Sequence, residues 1–425
     1  MGCARPSSLR GQNRHRFKRA TIYGMDRRLV SRIVLRNYKS IAACDVKPAQ
    51  LTFLVGPNGS GKSNFLDALR FVADSLRFSL DHALRDRGGI HEVRRRSGGH
   101  PTHFGIRLEL SMPDSWARYS FSIGAKPQGG YEVEREECIV MTSGPSGKNF
   151  YETRRGEIMR SSLSPAPAAA TDRLYLVNVS GTAAFRPVYD ALSSMGFYNL
   201  NPEQIRDLQP PDPGELLKRD GSNIASVLSN LAHRSPDLKK RVEEYLARVV
   251  PGIVSVDSHS FGSKETLEFR QNIRGAAHPW RFYANSMSEG TLRALGVLVA
   301  SFQAAGNGGS GRRLVGIEEP EVALHPAAAS VLTDSLQDAS AHVQILITSH
   351  SPDLLDAETI PDESILAVVA EDGESKIGPL DEAGRSALRD HLYTAGELLR
   401  MDQLRPDPKL TNLNPAQLDL FGSEP

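Results

Sequence analysis

The stretch Gly56-Pro57-Asn58-Gly59-Ser60-Gly61-Lys62-Ser63 decides the fold of this 425-residue chain. It matches the pattern G-x-x-x-x-G-K-[ST], whose glycines let backbone N–H groups close around phosphate oxygens. The apolar run at 51–55 precedes it and predicts a short buried strand. Residues 65–76 follow with apolar side chains at helical spacing. The sequence therefore predicts a strand, a loop and a helix, which is the context that this motif requires.

The same loop predicts a binding site for ATP and Mg²⁺. Lys62 brings a positive charge to the phosphates, and the hydroxyl of Ser63 is a magnesium ligand. We place Asn64, the next residue, with the eight loop residues in the predicted nucleotide-binding set.

A second apolar run, at 314–317, ends in two adjacent acids, Glu318 and Glu319. A buried strand would bring both carboxylates to the carboxyl edge of an open α/β sheet, where ligands of such sheets bind. Two acids there are costly unless they serve a cation or a water molecule. We predict that Glu318 helps to hold Mg²⁺ and that Glu319 orients or deprotonates the attacking water. The alternative is that both acids cap the following turn.

A candidate histidine follows the next apolar strand along the chain. His350 ends the run at 343–348, and Ser351-Pro352 opens a helix after it. A neutral imidazole at this position could reach the γ-phosphate or the attacking water. We therefore predict a catalytic role for His350, together with Lys62 and Glu319. A purely structural histidine is the alternative.

The segment Ser288-Glu289-Gly290-Thr291 predicts a second phosphate-binding helix end. Ser288 and Gly290 are its candidate ligands, although a serine-capped helix start is also common without a ligand. Two such ends from a single chain would crowd one γ-phosphate. We therefore predict a head-to-tail homodimer that holds two ATP molecules between its subunits.

The rest of the chain predicts an α/β protein with additional layers. Alternating segments between about 103 and 153 indicate an accessory antiparallel β-layer, and 174–179 indicates another strand. Polar, helix-like residues dominate 185–250. The predicted divisions are a basic disordered tail at 1–24, a first part of the head at 25–180, a mostly helical insertion at 181–280, a second part of the head at 281–404 and a flexible tail at 405–425.

Composition limits the classes of function. The net charge is only +1, although residues 1–40 contain eleven Lys or Arg and a single acid, Asp26. No apolar run approaches the roughly 20 residues of a membrane span, so we expect a cytoplasmic protein without a membrane partner. Three scattered cysteines are too few for a disulfide framework or a zinc cluster. Met25, just before the first predicted strand, is an alternative start of translation.

The ordered motifs resemble the ABC-type ATPase heads of the RecF, SMC and OLD group. The resemblance covers roughly 28–400 and implies a P-loop NTPase head. It implies that Gly56 to Ser63 form the Walker A loop, Ser288 to Thr291 the ABC signature, and Glu318 and Glu319 the Walker B pair. It also implies that Glu321 to His325 form the D-loop and that His350 is the switch histidine. The chain departs from the pattern because 65–127 contains no glutamine for a Q-loop.

Two absences from the sequence narrow the resemblance. No heptad pattern is sustained between 64 and 287, which argues against an SMC-like coiled coil. The part of the chain after His350 is too short for the rest of the head and a TOPRIM nuclease. We therefore expect a separate nuclease or effector partner if DNA is cut. Arg94, Arg95 and Arg96 are candidate DNA contacts, or simply a solvated charge run.

The C-terminal tail carries Gln417-Leu418-Asp419-Leu420-Phe421, which resembles the pentapeptide that binds bacterial sliding clamps. The predicted contacts are Gln417, Leu418, Leu420 and Phe421. The alternatives are a chance match and packing of this segment on the head.

Two functions fit these patterns. The first is an ATP-hydrolysing dimeric switch in DNA maintenance, repair or anti-phage defence. The second is a low-turnover regulator whose nucleotide state controls a partner nuclease or toxin.

Overall fold

The computed structural model describes residues 28–97, 101–142, 147–306, 313–357 and 359–422. The predicted disordered tail at 1–24 and the alternative start at Met25 lie outside the described residues.

Strands and helices occur in runs along the described residues. The strands are β1 (Val30–Tyr38), β2 (Ile41–Val46), β3 (Leu51–Val55), β4 (His103–Met112), β5 (Ser115–Ala125), β6 (Tyr131–Thr142), β7 (Lys148–Arg154), β8 (Glu157–Ser161), β9 (Gly196–Tyr198), β10 (Ile253–Phe261), β11 (Lys264–Gln271), β12 (Trp280–Tyr283), β13 (Leu314–Glu318), β14 (Gln344–Ser349), β15 (Ile365–Glu371) and β16 (Glu374–Pro379). The helices are α1 (Lys62–Arg77), α2 (Leu80–Arg85), α3 (Ile90–Val93), α4 (Tyr175–Val179), α5 (Arg186–Ser193), α6 (Pro202–Arg206), α7 (Ile224–Arg234), α8 (Pro236–Val249), α9 (Glu289–Gly306), α10 (Pro326–Ser340), α11 (Pro352–Leu355), α12 (Glu382–Arg389), α13 (Ala395–Arg400) and α14 (Pro408–Thr411).

The central sheet has six strands in the order β16-β15-β3-β14-β13-β9. All neighbours in it are parallel except β15 and β16. Ser349 is in register with Val55, and Ile317 with Tyr198, so the carboxyl ends of these strands lie along one edge. That edge is where an open α/β sheet binds its ligands. The arrangement confirms the predicted α/β class.

A seven-stranded antiparallel sheet, in the order β2-β1-β4-β5-β6-β7-β8, forms the predicted accessory layer. Helix α1 contributes Phe65, Leu69 and Val72 to the apolar core that this sheet shares with it. Gln344, fully buried at the start of β14, accepts from the N–H of Val30 and donates to its carbonyl oxygen. One amide side chain thus joins the two sheets.

The prediction of a strand at 174–179 is wrong, because residues 175–179 form helix α4. A short apolar run cannot be assigned to a buried strand or a buried helix from periodicity alone. Here a distant group makes the difference, since the carboxylate of Glu136 accepts from the N–H groups of Tyr175 and Leu176. A carboxylate at a helix N-terminus satisfies donors that have no partner within the helix.

The prediction of a mostly helical insertion at 181–280 is wrong for its last part, from residue 253 onward. Helices α5 to α8 lie in its first part, but β10, β11 and β12 form a separate antiparallel sheet. Val256, Leu267 and Phe269 alternate with polar residues and bury one face of this sheet beside α7 and α8. The short strand β9 also departs from the helical pattern, because it pairs with β13 as the outer strand of the central sheet.

The prediction of a flexible tail at 405–425 is wrong for its described part. Pro406 forms a bridge with Leu380, and α14 contacts β16 and β2. Leu420 is 1% exposed and lies over Gly105 of the antiparallel sheet, while the Arg135 guanidinium is 4.2 Å from the Phe421 ring centre. The carbonyl oxygen of Asp419 accepts from Arg107 at 3.3 Å. The candidate clamp peptide is therefore docked on the head.

In the part of the chain that the structure describes, no helix is long and apolar enough to cross a membrane.

Candidate nucleotide site

The glycine loop lies between β3 and α1, at the carboxyl edge of the central sheet. Gly59 and Gly61 have φ values of 77° and 104°, a region that non-glycine residues rarely adopt. A Cβ at Gly56 would lie 1.9 Å from the carbonyl oxygen of Val368, and one at Gly61 would lie 2.0 Å from Ser375 Oγ. Close packing against β15 and β16 therefore requires glycine at both ends of the loop.

Lys62 is buried at the first position of α1. Its ammonium donates to the carbonyl oxygens of Gly56 and Pro57 at 2.8 and 2.9 Å. Burial lowers the pKa of Lys62, while the negative charges of Glu319 and Glu321 act in the opposite direction. A desolvated ammonium beside two carboxylates can exchange its carbonyl partners for phosphate oxygens.

The remaining loop residues differ in accessibility. Pro57, Asn58, Gly59 and Ser63 are exposed, whereas Ser60 is buried and its hydroxyl has no partner among the described residues. The Asn64 amide donates to Ser40 Oγ at 2.7 Å. Asn64 therefore ties α1 to the turn after β1, and its side chain is already engaged away from the loop.

The acid pair lies two strands away from the loop, at the end of β13. Glu318 Oε1 is 3.0 Å from Arg219 Nη2, in the loop before α7. Arg219 and Asp220 are tied to the sheet through their backbone, since their carbonyl oxygens accept from the N–H groups of Asn199 and Asn201. The sequence prediction did not include this arginine.

Glu319 has a left-handed backbone with φ 44°, a conformation that costs a non-glycine residue about 1–3 kcal/mol. Its N–H donates to the carbonyl oxygen of Thr348 at 3.0 Å, and its own carbonyl accepts from Arg293 Nε at 3.2 Å. These bonds hold the turn and aim the carboxylate at His350, with Glu319 Oε1 3.3 Å from His350 Nδ1. Both side chains remain about one third exposed, at 35% and 37%.

Glu321 links the turn after β13 to the end of β14. Its Oε1 accepts from Ser349 Oγ at 2.7 Å and from the N–H of His350 at 3.3 Å. The residue is buried, and its Oε2 has no partner among the described residues. This carboxylate therefore fixes the backbone position of His350 and leaves one buried oxygen available to a donor.

The predicted signature begins helix α9. Thr291 donates its N–H to Ser288 Oγ at 3.2 Å, and the two hydroxyls are 2.8 Å apart. A Cβ at Gly290 would lie 2.3 Å from the carbonyl oxygen of Ala323, so the helix start packs directly on the turn after Glu321. Arg293, one turn further along, is 9% exposed, and burial lowers its pKa.

The structure thus brings Lys62, Glu318, Glu319 and His350 to one sheet edge. Within the described ranges, no hydrogen bond or ion pair joins Ser288 or Gly290 to the glycine loop. Sequence reasoning missed Arg219, Thr348 and Arg293. The sequence around Arg219 gives no indication that it pairs with Glu318, because strand pairing brings the two residues together.

The donors at this edge fit Mg²⁺ bound with a nucleotide. Mg²⁺ takes one or two protein oxygens together with substrate phosphates, rather than a cage of protein ligands. Among the residues that can be described, no group of three His, Cys, Asp or Glu forms a metal site by itself. The Ser63 hydroxyl and the Glu318 carboxylate are the available oxygens, and Glu318 would exchange Arg219 for the metal.

Comparison with known families agrees with this geometry. Residues 51–356, more than half of the chain, match the family model described as "AAA domain, putative AbiEii toxin, Type IV TA system". The DNA replication and repair protein RecF of Vibrio parahaemolyticus is 38% identical over 50 residues, which are 12% of this chain and 14% of that protein. RecF of Vibrio cholerae matches to the same extent. The chain thus spans 14% of the length of these curated relatives.

Two solved Smc heads are similar in structure. An SmcHead bound to the C-winged helix domain of ScpA has a TM-score of 0.50 at 15% identity. The match covers 84% of this chain and 99% of the SmcHead chain. An Smc head with an extended coiled coil, bound to the C-terminal domain of ScpA derived from Pyrococcus furiosus, has a TM-score of 0.52 at 12% identity, with 86% and 99% covered. At such identities the likeness shows the fold alone. The predicted ABC-type head of the RecF and SMC kind is confirmed.

Proposed function

We infer that this chain, which belongs to the AAA-domain family described as a putative AbiEii toxin of a type IV TA system, binds and hydrolyses ATP. Family membership supports nucleotide-dependent activity. The observation that carries the proposal is the meeting of three groups at one sheet edge: the desolvated Lys62 ammonium, the Glu319 carboxylate and the His350 ring.

The proposed roles follow from the geometry of each group. The backbone N–H groups of the glycine loop, apart from Pro57, which has none, surround the phosphates. Lys62 is the phosphate cation, and Asn64 is a residue that positions α1. The Ser63 hydroxyl and Glu318 hold Mg²⁺, which when bound neutralises charge on the phosphate oxygens. Glu319 accepts a proton from the attacking water, and His350 fixes the orientation of that carboxylate.

The ATPase proposal is tested by single substitutions and steady-state turnover. Lys62→Ala should abolish nucleotide binding or hydrolysis, because it removes the phosphate cation. Glu319→Gln should retain ATP binding and lose at least about 100-fold in kcat, as expected for loss of a general base. Lys47→Ala, at an exposed lysine, is the matched control and should leave both unchanged. Wild-type turnover in Glu319→Gln would contradict the catalytic assignment.

We also propose that ATP lies between two copies of the chain. The start of α9 presents Ser288 and Gly290 at a helix N-terminus, and such an end attracts phosphate. Each copy would then supply its glycine loop to one nucleotide and its signature to the other. This head-to-tail arrangement agrees with the absence of a bond between the two motifs in the described residues.

DNA maintenance, repair or anti-phage defence is the proposed setting. The RecF relatives are DNA replication and repair proteins, which supports a DNA partner. The Smc heads bound to ScpA domains support a further protein partner. A clear increase of kcat by added DNA would support this function, and turnover that is unchanged by DNA would argue against it.

The second candidate is a low-turnover regulator of a partner nuclease or toxin. The description of the family as a putative toxin of a type IV TA system favours this candidate. A stable ATP-bound complex with the product of the neighbouring gene, together with turnover that DNA does not affect, would support it over the first. Loss of that complex in Lys62→Ala would tie partner binding to the nucleotide.

A further inference from the structure

The sheet of β10, β11 and β12 has one face packed beside helices α7 and α8 and one more exposed face. Residues in register on neighbouring antiparallel strands share a face. The more exposed face carries two acids, Asp257 and Glu268, and six aromatic or basic side chains. We call it the aromatic–basic face after the latter: His259, Phe261, Lys264, Arg270, Arg281 and Tyr283. The opposite face carries Val256, Leu267 and Phe269, which are buried beside α7 and α8.

Three rings form a contiguous cluster on the aromatic–basic face. The ring centres of His259 and Phe261 are 5.0 Å apart, those of Phe261 and Tyr283 are 5.1 Å apart, and those of His259 and Tyr283 are 5.3 Å apart. Phe261 remains 45% exposed. Exposed aromatic surface of this kind marks an interaction site more often than an isolated apolar residue does.

Most of the charged side chains that solvent can reach on this face are basic. Glu268 lies beneath the face with only 8% of its side chain exposed, and Arg270 and Arg281 contact it at 3.5 and 3.6 Å. Their own side chains are 46% and 62% exposed. The other acid, Asp257, is 50% exposed and is paired with Lys239 of α8 at 2.7 Å. Lys264 is exposed and has no ion pair among the described residues.

We propose that the aromatic–basic face binds single-stranded nucleic acid. Exposed rings on a sheet can stack on unpaired bases, and flanking cations hold the phosphates, which together form a binding platform for single strands. A duplex does not offer its base faces to such rings, because its bases are stacked on each other. Positive accessible charge beside the rings favours nucleic acid over an apolar partner.

The aromatic–basic face is also connected by a short segment to the signature helix of the proposed nucleotide site. Strand β12 ends at Tyr283, and Ser288, which caps the signature helix α9, follows five residues later. Arg206 of α6 donates to the carbonyl oxygen of Met287 in this connection at 3.3 Å. This inference rests on the proposed function, because it specifies which form of DNA the chain binds and where it binds. Binding to the face does not itself require ATP.

The test measures anisotropy of a labelled oligothymidylate of about 12 nucleotides, within the range of known single-strand site sizes. The full chain carries Lys62→Ala and no nucleotide is added, so failure of the ATPase proposal cannot affect the result. Phe261→Ala should weaken binding about tenfold through loss of one stacked base. Arg281→Gln should weaken it and lower the slope of log K against log salt by about 0.7. Phe78→Ala, an exposed ring outside this face, should change nothing.

Unchanged affinity in both Phe261→Ala and Arg281→Gln would overturn the proposal, provided that their melting temperatures match the parent. Equal affinity for a duplex of the same length, with the same losses in both variants, would also overturn it. Binding of a polyglutamate peptide with those losses, in place of the oligothymidylate, would assign the face to an acidic protein partner instead.

Discussion

At the scale of single residues, substitution of Arg219 should change the Mg²⁺ concentration that nucleotide binding requires. Its guanidinium lies 3.0 Å from Oε1 of Glu318, and we assign the Glu318 carboxylate to Mg²⁺. Arg219→Ala removes a competing cation, so nucleotide binding should require a lower Mg²⁺ concentration than in the wild type. Titration of Mg²⁺ against binding of a fluorescent ATP analogue measures this shift. We expect about a two- to fivefold decrease, the size of a partly exposed ion pair.

Lys218→Ala is the control for that experiment, because Lys218 lies next to Arg219 but pairs with Asp212 at 3.3 Å. Its Mg²⁺ requirement should equal that of the wild type. An increased Mg²⁺ requirement in Arg219→Ala would show that the arginine supports the metal site, contrary to our account.

At the scale of elements, ion pairs of Asp67 join helix α1 to Lys39 and Arg87. Its carboxylate is 2.6 Å from Lys39 Nζ and 3.0 Å from Arg87 Nη2. Burial alone would raise the pKa of Asp67, but Arg87 and Lys39 hold this pKa well below its usual range. Asp67→Asn should lower the free energy of unfolding by about 1.5–3 kcal/mol at pH 7, because the buried Arg87 cation keeps Asp74 at 3.0 Å but loses its bonds to the Asp67 carboxylate.

The pH dependence of that loss has a definite sign. A carboxyl with a lowered folded pKa contributes stability above its unfolded pKa, about 4, and loses it as pH falls toward the folded value. The difference between wild type and Asp67→Asn in urea unfolding should therefore decrease below about pH 4. Asp81→Asn, which breaks the exposed pair with Arg85, should cost under about 1 kcal/mol. An equal cost for both variants would contradict this account of α1.

The C-terminal segment is an element that one substitution should release. A Cβ at Gly105 would lie 2.2 Å from Leu420 Cδ1, so Gly105→Ala should displace Leu420 from the antiparallel sheet. Hydrogen exchange should then be faster at 417–422 than in the wild type. Leu420→Ala should have the same effect without touching β4. Full protection of the segment in both variants would contradict the docking that we describe.

Release also bears on the candidate clamp peptide. Leu420 is buried when the segment is docked, so binding of Gln417, Leu418, Leu420 and Phe421 to a sliding clamp requires undocking. Gly105→Ala should therefore increase clamp pull-down if the peptide is functional. Deletion of 417–421 should abolish pull-down and leave ATPase activity intact.

Sequence patterns predicted the elements whose causes are local. The glycine loop, the strand before it and the helix after it each follow from neighbouring residues. Helix α4 and strand β9 could not be predicted in this way, because a buried Glu136 and the edge of β13 lie far away in the chain. Arg219 was missed for the same reason, since only the fold shows that it faces Glu318.

At the scale of the whole molecule, both predicted motifs of the nucleotide site lie in one chain but without a direct bond between them in the described residues. The central claim is that ATP joins the glycine loop of one copy to the signature of another. Two-fold dimers are the commonest symmetric oligomers, and here the single interface would contain two ATP molecules. The claim therefore predicts that the molar mass of the protein depends on the bound nucleotide, in addition to predicting ATP turnover.

The most direct test is the molar mass of Glu319→Gln, measured by light scattering after gel filtration. We predict a dimer with ATP and Mg²⁺, because this variant binds ATP and does not hydrolyse it, and a monomer with ADP. Adding Ser288→Arg should return the ATP-bound protein to a monomer, since the signature then no longer accepts the phosphate of the other copy. A Glu319→Gln protein that stays monomeric with ATP, or a dimer unaffected by Ser288→Arg, would contradict the account.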